Sequence, residues 1–429
     1  MIPVGNAGIW VGRRYPAPSV KVLVADKFED SGLAGLGQLG VPVDYQPTLV
    51  GEALAQYLVD SEANILVVRS SLVDANALKA PRLGLVIRAG AGVNNIDIPA
   101  ASQHGILVAN CPGRNSQAVA ELAFGLMIAC DRRISDNVAE LRAGHWNKTE
   151  FSKSRGLYGR TLGVIDMGKI AQEMIIRAKA FGMNVVAYSR WMTADLAAAL
   201  QIGRASNLRE LALLSDIVTV HVALTPDTLG MLDDGFFEDL GDDSIFINTS
   251  RAEVVDQAAM LRAMDLRHLR VGLDVFEGEP EAGTGTYDGV LRHHPNAYCT
   301  HHIGASTMQA QEAIAAEVVA MVREYAMKGS VQNVVNVKRA DVATHVLVVR
   351  HLDRVGVLAH VLGVLKDEGV NVQEMENIVL GGAASAIAQI SIDRPLTPDA
   401  ILAIKMNPNV FDASVFSLIR QPKGDQEAL

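Results

Sequence analysis

The sequence predicts an α/β protein: two doubly wound parallel-sheet domains, the first discontinuous in sequence, followed by a small module of order βαββαβ. Three observations carry this. Short apolar runs rich in β-branched residues alternate with helical periodicity from Val20 to about Lys328. The stretch 161–191 has the strand–turn–helix–strand order of a dinucleotide-binding unit. The last eighty or so residues change to a compact pattern of four strands and two helices.

In chain order, residues 1–19 carry Arg13-Arg14 with no apolar run behind it, so they read as a loosely ordered tail and not a signal peptide. Strands are expected at Val20–Ala25, Val41–Tyr45, Asn64–Val68, Leu85–Arg88 and Ile106–Ala109, with helices at Val50–Leu58 and Ile98–His104. This alternation implies a mostly parallel sheet covered on both faces. Asn115 or Ser116 is expected to cap a single helix running to about Arg142, with Val119, Leu122, Ala123, Leu126 and Met127 on one face. A helix of that length crosses between domains or builds an interface.

Gly144–Gly159 is polar and rich in breakers, a loop. Then come a buried strand at Thr161–Ile165, a turn at Asp166–Ala171, a helix at Ile170–Phe181 and a second strand at Asn184–Tyr188. Later strands are expected at Ile217–His221, Ser244–Asn248, Val271–Val275 and Ala297–Thr300, with a loop over Glu277–Asn296. Helical Ala305–Lys328 returns the chain to the first domain. The limits are therefore 20–114 with 301–330 for one domain and 115–300 for the other. After a linker at 331–341, residues 342–421 read as strand Thr344–Val349, helix Gly356–Glu368, strands Val370–Val379 and Ala384–Ile392, helix Thr397–Met406 and strand Val410–Leu418. In its first helix Val357, Leu358, Val361, Leu362 and Leu365 make one apolar face. The module is of a size to sense something, not to add to a catalytic core.

Composition excludes several function classes. A net charge of −10 with no basic stripe argues against a nucleic-acid partner. No uncharged apolar run approaches the ~18 residues of a membrane span. Cys111, Cys130 and Cys299 form no close-spaced metal or redox pair and fit a reduced cytosol. The expectation is a cytoplasmic protein without a metal.

The Gly-x-Gly-x-x-Gly fingerprint maps onto Asp166, Gly168 and Ala171. Ala at the third place still allows close helix–strand contact. Asp at the first place adds a Cβ at a sharp turn and a carboxylate near the expected phosphates. By itself this stretch suits a plain βαβ unit equally well. Three later segments speak more clearly: Asn248-Thr-Ser-Arg-Ala-Glu-Val-Val-Asp256, Asp274-Val-Phe-Glu-Gly-Glu-Pro280 and His301-His-Ile-Gly-Ala-Ser-Thr307. They place Arg251, Glu279 and His302 at or just beyond strand ends, where the ligand crevice of an open α/β sheet lies. Alone, each would be an ordinary surface ion pair or a satisfied polar group. Together they suit hydride transfer at an alcohol carbon bearing a carboxylate. Arg binds the carboxylate or polarises the carbonyl, His moves the hydroxyl proton, and the acid orients the His and raises its pKa.

From Val20 to about Leu418 these segments resemble the D-isomer-specific 2-hydroxyacid dehydrogenases, most of all members with a C-terminal ACT regulatory module that act on D-3-phosphoglycerate. Val67-Val-Arg-Ser70 and Arg88-Ala-Gly-Ala-Gly-Val-Asn-Asn-Ile-Asp97 match substrate-side loops, and Asn110-Cys-Pro-Gly-Arg-Asn-Ser116 with Glu121 matches the hinge into a dimer helix. The resemblance implies two Rossmann-like domains and oxidation of 3-phosphoglycerate at C2. It implies Arg251, Glu279 and His302 as catalytic residues, and Arg69, Ser70, Arg88, Gly90 and Asn115 on the substrate. Gly168, Lys169, Ile170, Ser189, Arg190, Val222, Thr249, Ser250, Asp274 and Gly304 fall on the dinucleotide. Arg132, Arg133 or Lys148 is a candidate to be lent by a second subunit of a homodimer or homotetramer. His351, Asp353 and Asn371 fall where serine-sensing relatives hold the effector.

Ser189-Arg190 replaces the acid that NAD-using relatives place on the ribose, so NADP(H) is expected to be accepted as well as NAD(H). Rival expectations are a glyoxylate or hydroxypyruvate reductase and a non-catalytic dinucleotide sensor of the same fold.

Overall fold

The computed structural model describes residues 20–280, 284–337 and 343–418. The expected tail 1–19, linker residues 338–341 and the last residues of the expected module lie outside them. The chain divides into two compact units between Asn336 and Val337.

The first unit holds two parallel sheets. One contains β1 (Val22–Val24), β2 (Val43–Tyr45), β3 (Ile65–Val68), β4 (Leu85–Arg88) and β5 (Leu107–Asn110), in the order β2-β1-β3-β4-β5. The other contains β6 (Thr161–Ile165), β7 (Asn184–Tyr188), β8 (Gly203–Arg204), β9 (Ile217–Val220), β10 (Ile245–Asn248), β11 (Arg270–Leu273) and β12 (Ala297–Cys299), in the order β12-β11-β10-β9-β6-β7-β8. Central strands of both sheets are buried throughout, as continuous Val/Ile/Leu runs require when helices cover both faces.

Two long helices fix the layout. Ser116–Arg132 buries Ala123, Leu126 and Met127 in one core of the second sheet. It packs so closely that a Cβ on Gly272 of β11 would lie 2.9 Å from Leu126 Cβ and 2.7 Å from Ile247 Cδ1. Met308–Lys328, capped by Thr307, returns and buries Ile314, Val318 and Val322 against β1, β3 and β4. Because all strands in each sheet run the same way, Arg69, Arg88, Asp166, Ser189, His221, Thr249 and Asp274 stand at or just beyond strand ends of one polarity. That polarity gathers the candidate chemistry.

Several expectations change. The single helix to Arg142 is two, Ser116–Arg132 and Ile134–Arg142, broken at Arg133 with φ +50°. Arg133 turns back to donate to Asp136 Oδ2 at 3.3 Å and Glu150 Oε1 at 2.6 Å, and lies over the Phe151 ring. Beyond the break no residue of the helix is buried, so no core pulls it straight. The loop 144–159 contains a helical turn, Lys148–Phe151, capped by Asn147. Asn115 precedes its helix without a side-chain cap. Part of the expected linker is bound in place: Val335 N–H donates to Val108 O at 2.8 Å, and Asn336 Oδ1 accepts from Val108 N at 2.9 Å. These bonds cover the otherwise unpaired edge of β5.

The second unit is one antiparallel sheet of β13 (His345–Leu352), β14 (Val372–Val379), β15 (Ser385–Ile392) and β16 (Val410–Ser417), in the order β14-β15-β13-β16. Helices Val357–Asp367 and Pro398–Lys405 cover one face, completing the order βαββαβ. Val361, Leu365, Ile390, Ile392 and Ile404 form its core.

Candidate active site

A cleft of about 470 Å3 in the first unit is bounded by both sheets' strand ends. From the first sheet come Arg69, Ser70, Arg88 and Gly90, and from the second Thr249, Ser250, Arg251, Asp274, His302 and Gly304. Asn115, Ile170 and Val222 complete it among the expected residues.

Asn248, at the end of β10, shapes the turn that presents Arg251. Its Oδ1 accepts from Ser250 N and Oγ, both at 2.9 Å, and its Nδ2 donates to Arg251 O at 2.9 Å. Asp274 does the same for His302. It is almost fully buried, and accepts from Thr300 Oγ1 at 2.6 Å, Ile303 N at 2.8 Å and Gly304 N at 2.7 Å. These contacts flank His302, whose φ of +53° is one of the strained conformations that collect at functional sites.

His302 Nδ1 donates to Glu279 Oε2 at 2.8 Å, and Glu279 Oε1 accepts from Phe276 N at 2.8 Å. The Glu279 hydrogen bond raises the His302 pKa, overcoming the opposing effect of burial. Burial alone would raise the Glu279 pKa, but the hydrogen bonds from His302 and Phe276 N carry it below its ordinary value. The pair therefore favours imidazolium and carboxylate more than either group would alone, with His302 Nε2 left for the cleft.

Three guanidiniums, of Arg69, Arg88 and Arg251, line the cleft with His302. Burial, then Arg251 and Arg69, lower the Arg88 pKa to about 10, and its Nε has no partner among the described residues. Like charges held this close need an anion. Two glycines make room for them: a Cβ on Gly90, at φ +155°, would fall 1.5 Å from Arg88 Nη1, and one on Gly92 would fall 2.2 Å from Arg251 Nη2. Gly92→Ala should therefore fold normally, because only a flexible side-chain end must move. It should raise substrate KM by about tenfold, the cost of one displaced charged hydrogen bond. Unchanged KM would show that Arg251 does not bind from this position.

The dinucleotide side fits its expected guest. The Lys169–Ala180 helix begins beyond Gly168 and offers its N-terminal N–H groups to an anion. Thr249 Oγ1 is buried in the cleft wall with no partner among the described residues. Ser189, Arg190 and Val222 line a second, smaller pocket with Asp166.

Residues 124–304 match the family model described as D-isomer specific 2-hydroxyacid dehydrogenase, NAD binding domain. A Thermus thermophilus protein of known structure superposes with TM-score 0.65 at 30% identity, over 74% of this chain and all of that one. The chain belongs to the D-isomer specific 2-hydroxyacid dehydrogenase family. A glyoxylate reductase from Paecilomyes thermophila superposes with TM-score 0.66 at 26% identity, over 74% of this chain and 98% of that one. The D-3-phosphoglycerate dehydrogenase of Methanocaldococcus jannaschii is 36% identical over 320 residues, 74% of this chain. The chain spans only 59% of that relative's length.

Two groups, His221 in the cleft wall and Asp26 behind the Arg69 loop, were not legible as site residues. His221, directly after β9, is buried, bonds Thr219 Oγ1 through Nε2 at 2.9 Å and leaves Nδ1 unpartnered among the described residues. Burial lowers its pKa to about 3, so it is neutral. Its signal was its place at a strand end. Asp26, after β1, accepts from Arg69, Ser70 and Ser71 N–H at 2.6, 2.9 and 2.9 Å, and so shapes the loop that presents Arg69. Nothing in its local sequence announces that role.

The effector residues fare differently. His351 is buried, with Nδ1 2.8 Å from Leu352 O and Nε2 3.1 Å from Asn377 Oδ1, so it has no free nitrogen for a ligand. Asp353 and Asn371 are exposed. Arg133, engaged with Asp136 and Glu150, is not free to be lent to a neighbour. Among the described residues no helix is long and apolar enough to cross a membrane.

Proposed function

We propose that this dehydrogenase oxidises D-3-phosphoglycerate at C2 to 3-phosphohydroxypyruvate, the opening step of serine synthesis. One observation carries the reading: Arg69, Arg88 and Arg251 line the same cleft as His302, whose Nδ1 is held by Glu279. A substrate with a carboxylate and a phosphate offers enough anionic oxygen for such a cluster.

Arg251 holds the carboxylate and the C2 oxygen, and Arg69, Ser70 and Arg88 hold the remaining anionic groups. Gly168, Lys169 and Ile170 cradle the pyrophosphate, while Val222, Thr249, Ser250, Asp274 and Gly304 line the nicotinamide side. When bound, the nicotinamide accepts or returns the hydride. His302 Nε2 takes the C2 hydroxyl proton during oxidation and returns it in reduction. Glu279 keeps the other ring nitrogen protonated and stabilises the imidazolium.

Oxidation needs neutral His302, so its rate should rise with pH through the raised His302 pKa. Reduction needs the imidazolium, and its rate should fall across the same interval. Glu279→Gln removes the charge that raises this pKa and should shift both limbs to lower pH, toward the ordinary value of about 6.5. Profiles of kcat/KM in each direction check this, and an unmoved oxidation limb would remove Glu279 from the mechanism.

The deciding experiment is an activity matrix of 3-phosphoglycerate, phosphohydroxypyruvate, glyoxylate, hydroxypyruvate and D-lactate against both dinucleotides. The phosphorylated pair should give the highest kcat/KM. Equal or better use of glyoxylate would favour the reductase reading, which the structural likeness to a glyoxylate reductase supports. Dinucleotide binding without turnover on any substrate would favour the sensor.

Self-association belongs to the same proposal. Helix Ile134–Arg142 buries nothing and exposes Ile134, Val138 and Leu141, with Trp146 just beyond. Sedimentation should find a dimer or tetramer. Serine inhibition through the second unit now rests on Asp353 and Asn371, and a flat L-serine dose–response would remove it.

A further inference from the structure

A dinucleotide-binding unit ordinarily begins its turn with glycine and places an acid about twenty residues later, on the ribose 2′-hydroxyl. This chain departs at both places: Asp166 replaces the glycine and Ser189 the acid. The fold sets the two departures side by side. Asp166 N–H donates to Tyr188 O at 2.8 Å, one residue before Ser189, because β6 and β7 are neighbours in register. Asp166, Ser189 and Arg190 line one pocket of about 270 Å3.

The backbone at Asp166 has φ +90°, a conformation that glycine adopts freely and L residues resist. An acid kept there against that preference calls for a compensating role. Its Oδ2 accepts from Gly168 N at 3.2 Å, and among the described residues Oδ1 has no partner. Ser189 Oγ accepts from Trp191 N at 3.4 Å, turned into its own loop.

We propose that the ribose-reading acid has been transposed from the end of β7 to the turn after β6, so that Asp166 accepts the adenosine 2′-hydroxyl and selects NAD(H) over NADP(H). The proposal rests on the dinucleotide reading of the cleft. It reverses what Ser189-Arg190 suggests alone. Arg190, the group that could pair with a 2′-phosphate, already donates to Asp227 Oδ2 at 2.8 Å. Such an exposed pair is weak and does not bar a phosphate by itself. With Asp166, however, the pocket presents two carboxylates to one guanidinium, and a 2′-phosphate enters against both.

Direct binding tests this, by fluorescence or calorimetric titration with NADH and with NADPH. The parent should prefer NADH by about tenfold or more, the scale of one charge-assisted hydrogen bond. Asp166→Gly restores the residue that the backbone prefers, yet it should weaken NADH and tighten NADPH. Asp166→Asn keeps the volume, removes the charge and should also erode the discrimination. Adding Ser189→Asp to Asp166→Gly should restore NADH binding. The sign of the glycine effect is decisive. Tighter or unchanged NADH binding in Asp166→Gly would make this acid a mere obstruction and overturn the proposal. A parent that prefers NADPH would overturn it as well. A parent that binds neither dinucleotide would overturn this proposal together with the reading beneath it.

Discussion

His302→Asn lowers kcat in both directions by about 10²–10⁴-fold, the contribution of a positioned general acid–base group, and leaves dinucleotide affinity intact. Asparagine is the informative replacement. It tolerates the left-handed backbone that His302 occupies at φ +53°, so the loop keeps its path. It also keeps a polar group facing Glu279 but cannot carry a proton. The His302 side chain is 56% exposed, so its loss should leave Tm unchanged. Steady-state kinetics with a thermal melt check both halves. Parental kcat in a folded variant would separate this residue from the chemistry.

Asp274→Asn has the second large effect, by a different route. Asp274 is 1% exposed, and its two oxygens satisfy three donors on either side of His302. The amide keeps one acceptor oxygen but turns an NH2 toward the Gly304 N–H or the Ile303–Thr300 pair. A buried charge-assisted bond is lost and a donor orphaned, which costs about 2–4 kcal/mol. The His302 loop then drifts, and misplacement of about 1 Å lowers kcat by about 10²-fold. Denaturant unfolding and kcat measured on the same preparation test this, and a variant as stable and active as its parent would refute the bracing role.

Sequence periodicity and tertiary structure contributed unequally. The buried strands were legible because a parallel sheet covered on both faces leaves continuous β-branched runs. The C-terminal order βαββαβ was legible because its first helix carries a clean apolar face. Arg251 and His302 could be placed at the crevice because each lies three residues past the last residue of a strand. The break at Arg133 was hidden, since a solvent-exposed helix leaves no apolar pattern to mark where it bends. His351 looked available in a polar turn, but its contact with Asn377, twenty-six residues away, buries it.

The sequence by itself determined which segments become the buried strands and which residues stand at their ends, because strand formation depends on local periodicity and side-chain shape; the exposed two-residue edge strand β8 carries no such pattern. Only the tertiary structure decided which strand ends meet. The order β9-β6-β7 brings Asp166 beside Ser189, and the facing of two sheets gathers Arg69, Arg88 and Arg251. Those neighbours come from packing between segments tens to hundreds of residues apart, and no local pattern encodes them.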